Sequence, residues 1–403
     1  MELRPTCPKC HTPMMKGART PGGKVRWTCR KGGKYCYSTT TGAQVLSKLE
    51  AAAPMPEAPK IDVVQEHALF RKVRRLEAEN KELIARAALE SGRAEAFSVA
   101  DDVKLDPPEW LIHLASNKTN HGTITTFLSD THFDEVVNPA EVNEVNAYNR
   151  DIATLRLRKF FDNSIMLVRD YIAGVKIDGL VLQLGGDMVS GNIHEELERT
   201  NDAPILDTCV YWAEQIAAGM EQQLKFFSNI FVPCVTGNHG RMRKRPQYKT
   251  RARDNFDWLI YKMLEKHFRG ESRITFMIPD GPSARFNVYD KRHHLVHGDE
   301  FSGGNGIGGI AVPILRGDAL KQKTEVAVGT PYDFMSIGHW HTRCTLGGGS
   351  VRINGTTKGY DEFTQGNRLG YQEPQQSLWM NTPERGITVD MPIFVRDKNE
   401  KWG

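Results

Sequence analysis

Residues 179–187 read Gly179-Leu180-Val181-Leu182-Gln183-Leu184-Gly185-Gly186-Asp187, an aliphatic run closed by two glycines and a carboxylate. Such a run reads as a buried strand, and the Gly-Gly-Asp turns the chain off its end. The same pattern recurs on both sides. Ile124 to Leu128 is a strand candidate ending at Ser129-Asp130, and Ile230 to Val235 is another ending at Thr236-Gly237-Asn238-His239. Helical patterns fill the intervals, from Asn143 to Ile172 and over residues 205–227. Strand, helix, strand, helix, strand predicts an α/β sheet whose ligand-binding residues sit just past the strand ends. After a helix from Asn255 to Phe268 the text turns β-like, with strands expected at Ile274–Ile278, Phe286–Tyr289, His294–His297, Phe334–Ile337 and Val351–Ile353.

Five short motifs stand at these junctions: Asp130-Thr131-His132, Gly186-Asp187, Gly237-Asn238-His239, His297-Gly298 and Gly338-His339-Trp340-His341. They supply two carboxylates, an Asn carbonyl and several imidazoles. That donor set suits two borderline divalent cations with one Asp bridging them. A glycine before the ligand lets the backbone turn sharply and leaves room near the chain.

In this order the motifs resemble those of the calcineurin-like metallophosphoesterase superfamily, which includes SbcD-type DNA repair nucleases, purple acid phosphatases and cyclic nucleotide phosphodiesterases. The resemblance spans residues 123–365 and implies a four-layer α-β-β-α sandwich occupying residues 123–380, with 381–403 as a tail. It also implies the site. Asp130, His132 and His341 would hold one cation, Asp187 would bridge, and Asn238, His297 and His339 would complete the second. Mn²⁺ is the expected metal, with Fe²⁺, Zn²⁺ or Mg²⁺ as alternatives. In the implied mechanism, cations about 3.5–4 Å apart clamp the phosphoryl oxygens and activate water for in-line attack. His239, if protonated, stabilises the developing charge or protonates the leaving alkoxide, and Asp187 and His239 are the catalytic pair.

Two positions depart from the superfamily pattern: Ser190 stands where Gly-Asp-x-x-Asp has its second Asp, and Gly240 where Asp or Glu is usual. These weaken the expected support of the imidazoles rather than the ligand set. His194-Glu195-Glu196 could supply that support or simply be a solvated helix start. Directly after His239, GRMRKRPQYKTRAR carries seven positive charges and no negative one. Arg241, Arg243, Lys244 and Arg245 are therefore expected to grip phosphates beside the metal site. The glycine-dense loop from Ser302 to Gly309 reads either as a mobile rim or as a plain connection.

The first fifty residues hold ten Lys/Arg against Glu2 and Glu50, so a net +4 chain divides into a +8 start and a −4 remainder. Four of the seven cysteines, Cys7, Cys10, Cys29 and Cys36, lie within that start. A Cys-x2-Cys pair followed by a second pair eighteen residues on suits a tetrahedral structural Zn²⁺, with His11 as a substitute ligand. Residues 1–42 resemble the zinc ribbons of transposases and other DNA-associated proteins. Their charge, with Trp27, Tyr35 and Tyr37 interleaved, fits nucleic-acid binding; a protein-interaction ribbon is the alternative. Residues 43–60 form a Pro-rich linker, 61–90 a short coiled coil with Leu69, Val73, Leu76, Asn80, Leu83 and Ala87 on its seam, and 91–122 a connector. Asn80 at the seam favours a homodimer; the alternative is a lone amphipathic helix.

At 403 residues, 25% charged and 39% hydrophobic, the chain has the composition of a globular protein of two or three domains. Cys209, Cys234 and Cys344 read as buried free thiols, and the odd cysteine count suggests a reducing compartment. Neither a signal-peptide pattern nor an 18-residue apolar run occurs, so a cytoplasmic location with no membrane partner is expected. The expected function is a two-metal phosphodiesterase acting on nucleic acid, with DNA the expected substrate and a phage or mobile element the expected setting. Two alternatives are a phosphatase for phosphoproteins or small phosphate esters, and a DNA-binding protein with a vestigial phosphoesterase domain.

Overall fold

The computed structural model describes residues 7, 10, 12–19, 25–31, 34–39, 72, 74–76, 106–112, 120–302, 309–366, 370–397 and 400. The chain forms two compact units, Met1–Glu82 and Leu83–Gly403. The first holds a three-stranded antiparallel sheet of β1 (Met15–Arg19), β2 (Val25–Lys31) and β3 (Lys34–Thr39), in that order. Cys7, Met14 and Cys29 are buried together beside Trp27, a very small core. Among the described residues, too little apolar surface is covered there for burial alone to hold the unit. Residues 72 and 74–76 are helical, but the linker 43–60 and the seam residues Leu69, Val73, Asn80, Leu83 and Ala87 lie outside the described residues.

In the second unit the chain runs through α1 (Glu109–Ile112), β4 (His121–Leu128), α2 (Arg150–Tyr171), β5 (Lys176–Leu184), α3 (Glu195–Thr200), α4 (Ile205–Gln223), β6 (Ile230–Pro233), α5 (Phe256–His267) and β7 (Ile274–Met277). It continues with β8 (Ser283–Val288), β9 (Lys291–Val296), α6 (Ala311–Ala327), β10 (Phe334–Ile337), β11 (Cys344–Leu346), β12 (Val351–Ile353), α7 (Glu362–Gly366), β13 (Gln375–Thr382) and β14 (Gly386–Phe394). Two mixed sheets result, one ordered β14-β13-β4-β5-β6-β7 and the other β11-β12-β10-β9-β8.

Side-chain alternation stacks the layers. Along β5, Leu180, Leu182 and Leu184 point to one face, where they pack with Phe160 and Phe161 of α2, Trp212 and Ile216 of α4 and Ile260 of α5. Val181 points the other way and, with Phe127, Phe231 and Trp379, meets Phe286, Val288 and Leu295 of the second sheet. The far face of that sheet, through Val296, Met335, Ile337 and Val351, packs on Ile314 of α6. This is the four-layer α-β-β-α sandwich expected, because each sheet has two apolar faces and each face finds a cover.

Some boundaries expected from the sequence are corrected. The domain does not stop at residue 380: β14 pairs antiparallel with β13 from Gly386 to Phe394, so most of the expected tail is an edge strand. Nor is 91–122 only a connector, since α1 places Leu111 in the core between the sheets and β4 begins at His121. Cys209 and Cys234 are buried free thiols, whereas Cys344 on the edge strand β11 is only partly covered. Among the described residues, no helix is long and apolar enough to cross a membrane.

Candidate metal centre

Strands β4, β5 and β6 run parallel, as do β9 and β10, so the two groups of carboxyl ends can meet at one edge of the sandwich. That edge carries the five motifs. Asp130, His132, Asp187 and His297 are almost fully buried, at most 1% exposed, while Asn238, His239, His339 and His341 are partly open. Three overlapping donor groups form: Asp130/His132/His341, Asp187/His297/His339 and His132/Asp187/His239, the ligand atoms within each group lying within 4.8 Å of one another. Asp187 joins the last two. Its Oδ2 lies 3.0 Å from His297 Nε2, and its Oδ1 accepts the His239 backbone N–H at 2.7 Å.

The backbone here is strained in a consistent way. Asp130, His132, Asp187, His339 and His341 all have φ between 45° and 66°, the left-handed region. For residues with a Cβ this costs about 1–2 kcal/mol each, a price met where it aims side chains at a common point. The glycines have a more specific role than turning the chain. A Cβ at Gly237 would collide with Asp187 Oδ1 and one at Gly338 with Asp130 Oδ2, so these two glycines leave space for the carboxylates of neighbouring motifs.

The donors fit divalent cations. His297 Nδ1 lies 2.9 Å from the Gly185 carbonyl and donates to it, which turns Nε2 toward Asp187 Oδ2 at 3.0 Å and Asn238 Oδ1 at 3.2 Å. Three acceptor atoms facing one another are satisfied by a cation or by protonation. Without a metal, burial disfavours the imidazolium but the Asp187 charge outweighs it and raises His297 well above the usual range. Across the site, His132 Nε2 lies 3.0 Å from His341 Nε2, and His341 Nε2 is 3.5 Å from Asp130 Oδ1. Burial lowers His339 to about 4 and His341 further, which keeps both imidazoles in the neutral form that ligates. Burial also raises Asp130 to about 6, with the Asp187 charge adding to it, whereas the surrounding imidazoles overcome burial at Asp187 and hold it well below its usual value.

His239 takes its orientation from a backbone group. Its Nδ1 lies 3.0 Å from the Ser190 carbonyl, so Ser190 serves through its main chain rather than its side chain. His194 stands at the N-cap position of α3 without a capping side-chain bond, its ring 5.9 Å from that of His239. Burial, opposed by Asp187, lowers His239 to about 4.

The side chains supporting this site had no signal in the motifs. Asp257, fully buried at the start of α5, accepts backbone N–H groups from Asp187 (3.0 Å), Met188 (3.1 Å) and Gly237 (2.9 Å). Asn255 caps the same helix and donates to the Gly237 carbonyl at 2.8 Å. A Cβ at Gly240 would run into Asn255 and Asp257, which explains why no acidic side chain stands at that position. From the other side, the loop after β12 braces the first motif: Thr356 Oγ1 donates to the Asp130 carbonyl at 2.6 Å and Asn354 to Ser129 Oγ at 2.9 Å. Lys358 Nζ is buried between Glu135 Oε1 (2.8 Å) and Asp361 Oδ2 (2.5 Å), and Glu135 Oε2 lies 3.3 Å from His132 Nδ1. The segment Asn354-Gly355-Thr356-Thr357-Lys358, polar directly after an apolar strand, was the visible clue.

The basic strip is only partly open to a ligand. Arg241 donates to the carbonyls of Asn238 (2.9 Å), Arg243 (3.0 Å) and Lys244 (3.0 Å), and so serves the loop itself. Lys244 lies 3.9 Å from Glu195. Arg243 and Arg245 are exposed beside a cavity that reaches Asn238.

In the N-terminal unit, Cys7, Cys10 and Cys29 bring their sulfurs within 4.8 Å, Cys10 Sγ lying 3.4 Å from Cys29 Sγ. Hydrogen bonds from Thr12 lower the Cys10 thiol toward the thiolate a metal binds. Cys36 lies on β3, next to the Tyr37 that pairs with Cys29, but its side chain and His11 fall outside the described residues.

No family model matches this sequence, and no curated protein matches it. Some solved structures are similar at low identity. A predicted phosphoesterase from Streptococcus pneumoniae is 11% identical, with 67% of this chain and 97% of that chain covered at a TM-score of 0.26. An archaeal phosphodiesterase is 13% identical over 67% of this chain and 99% of its own, with a TM-score of 0.29. A zinc complex of Vps29 from Entamoeba histolytica is 10% identical over 67% and 99%, with a TM-score of 0.25. At these TM-scores the likenesses bear no weight, and the chemistry of the site rests on its own geometry.

Proposed function

We propose that this chain is a metal-dependent phosphodiesterase that cleaves nucleic acid, with DNA as the substrate. The observation that carries the reading is the placing of Asp187 between donor groups from both sheets, with His239 beside it. Asp130, His132 and His341 would hold one divalent cation, Asn238, His297 and His339 the other, and Asp187 both; Mn²⁺ is the favoured metal. When bound, the pair would supply Lewis acidity toward the phosphoryl oxygens and a nucleophile at neutral pH.

The chain's own residues account for the rest. Asp187 and the glycines beside it set the spacing of the donors. His239, oriented by the Ser190 carbonyl, has a ring nitrogen within 4.8 Å of donors from His132 and Asp187, where an arriving phosphate raises its pKa and lets it carry a proton to the leaving oxygen. The +8 N-terminal segment, with Cys7, Cys10, Cys29 and Cys36 around one Zn²⁺, would hold the polyanion, and residues 61–90 would pair two chains.

The test is a screen of purified protein with Mn²⁺ against single-stranded DNA, duplex DNA, RNA and a chromogenic phosphate monoester. Cleavage of DNA that EDTA abolishes is the expected result. Intact nucleic acid beside rapid monoester hydrolysis would replace this reading with a phosphatase.

A further inference from the structure

The excursion from Arg241 to Asn255 starts three residues after the ligand Asn238 and is closed at its base by a β-bridge between Arg241 and Asn255 and by the Met242 N–H to Asp254 carbonyl bond at 3.0 Å. Its seven cations divide into two sets of three, apart from Lys244, which lies 3.9 Å from Glu195. Arg251 pairs with Asp299 at 2.5 Å, Arg253 with both oxygens of Asp280 at 2.8 Å, and Arg241 with loop carbonyls. These tie the loop down. Arg243, Arg245 and Lys249 are exposed, and among the described residues no carboxylate pairs with them. Between them stands Tyr248, 95% exposed, more than any other large apolar side chain described. Asn238, Arg243, Arg245, Tyr248 and Lys249 line one cavity, together with Arg251 and its partner Asp299.

We propose that Arg243, Arg245, Tyr248 and Lys249 form a subsite for single-stranded nucleic acid, holding the nucleotides that flank the scissile phosphodiester. It rests on the phosphodiesterase reading above. Three unpaired cations around an exposed ring combine the two features that single-strand sites use: charge that tracks the backbone and an aromatic face on which a base stacks. A base inside a duplex is already stacked on its neighbours and cannot take the tyrosine ring, so strand preference follows from Tyr248. A phosphoprotein would use the cations but not the ring. Because Asn238 belongs both to this cavity and to the metal centre, a strand lying in the cavity leads directly to the site of chemistry.

The test compares wild type, Tyr248→Ala, Tyr248→Phe and Arg243→Ala/Arg245→Ala on a labelled single-stranded oligonucleotide and its duplex. Cleavage is followed with Mn²⁺ and binding by anisotropy in EDTA. Tyr248→Ala is expected to raise KM and Kd for the single strand on the order of tenfold, with kcat within about twofold. Tyr248→Phe should restore the loss, because the ring is kept. The double variant should reduce the slope of log K against log salt by about 1.4, for two phosphate contacts. Wild-type KM and Kd in Tyr248→Ala would overturn the subsite while leaving the nuclease reading intact. A wild-type protein that binds the single strand without cleaving any nucleic acid would remove the nuclease reading, and the Kd of the Tyr248 variants would then decide the subsite. Equal weakening of single strand and duplex by Tyr248→Ala would overturn the stacking role.

Discussion

Asp187 Oδ2 lies 3.0 Å from His297 Nε2, so a carboxylate from the end of β5 meets an imidazole from the end of β9 across the two sheets. Replacing either leaves the other, a buried group, without the charged partner it hydrogen-bonds. Asp187→Asn keeps the size and removes the charge. Metal content is expected to fall from two ions to one or none, and hydrolysis by about 1000-fold or more. Elemental analysis after gel filtration, alongside initial rates, checks this; two retained ions would refute the shared role of Asp187.

His239 is held by the Ser190 carbonyl rather than by a carboxylate, and burial lowers its pKa to about 4 in the free protein. As a proton donor it must gain charge only when the anionic substrate arrives. The descending limb of kcat is therefore expected at higher pH than that of kcat/KM. His239→Ala should abolish this separation and lower kcat about 100- to 10,000-fold while both metal ions stay bound. Loss of metal in that variant would make His239 a ligand instead.

Asp257 gathers three backbone N–H groups from two motif loops. Asp257→Asn substitutes an NH₂ for one accepting oxygen, and an unmatched buried donor costs about 1–3 kcal/mol. Burial and the Asp187 charge raise this carboxyl to about 6, so the folded form binds its proton more tightly than the unfolded chain. The Asp257 contribution to the stability of the metal-free protein should accordingly shrink as the pH rises from about 4 to 6, narrowing the stability difference between wild type and variant. Denaturant titration in EDTA across that range measures both.

Lys358 is buried between Glu135 and Asp361, and Glu135 also faces His132. Burial opposes the charge on both carboxylates, but the ammonium outweighs it, holding Glu135 well below its usual range and Asp361 at about 2. Depressed carboxylates stabilise the fold above their unfolded pKa and lose that contribution as the pH falls below about 4.5. Lys358→Met leaves two buried acids unpaired and should destabilise the fold by about 3–5 kcal/mol at neutral pH, with the deficit shrinking as the pH falls below about 4.5 and part of it still present at pH 3. Melting curves between pH 3 and 7 test the direction; a deficit constant with pH would exclude the charge argument.

Cys7, Cys10 and Cys29 form the only cysteine group among the described residues able to share a metal. Cys10→Ser should release about one Zn²⁺ per chain and loosen the N-terminal unit to proteolysis without changing the metal content of the Asp187 site. Zinc retention at the wild-type level would show that the thiols serve another purpose.

Much of this was legible along the chain. The aliphatic runs at β5, β6, β10 and β12 have the period and length of buried strands, and each motif stands beside a strand end, so the ligand set could be read in order. Other parts were harder to read. β14 alternates Ile387, Val389, Met391 and Ile393 with Thr388, Asp390 and Pro392, but the proline reads against a sheet interior and fits an edge strand, and α6 has little amphipathic contrast. Asp257 is an ordinary residue in sequence, and Thr356 and Lys358 stand out only as part of a polar run after β12; burial beside the motif loops is what gives all three a role.

The sequence by itself determined which residues could ligate metal, that they come in strand-end pairs, and that a cysteine-bearing basic segment lies apart from them. These are statements about spacing and residue chemistry, which local pattern encodes. Only the tertiary structure decided that Asp187 meets His297 across the two sheets, that Ser190 supports His239 through its carbonyl, and that Arg243, Arg245 and Lys249 remain open while Arg251 and Arg253 are paired. Such pairings join residues tens to hundreds of positions apart, and they exist because two sheets, each with two apolar faces, must bury them against one another, bringing the carboxyl ends of both sets of parallel strands to one edge.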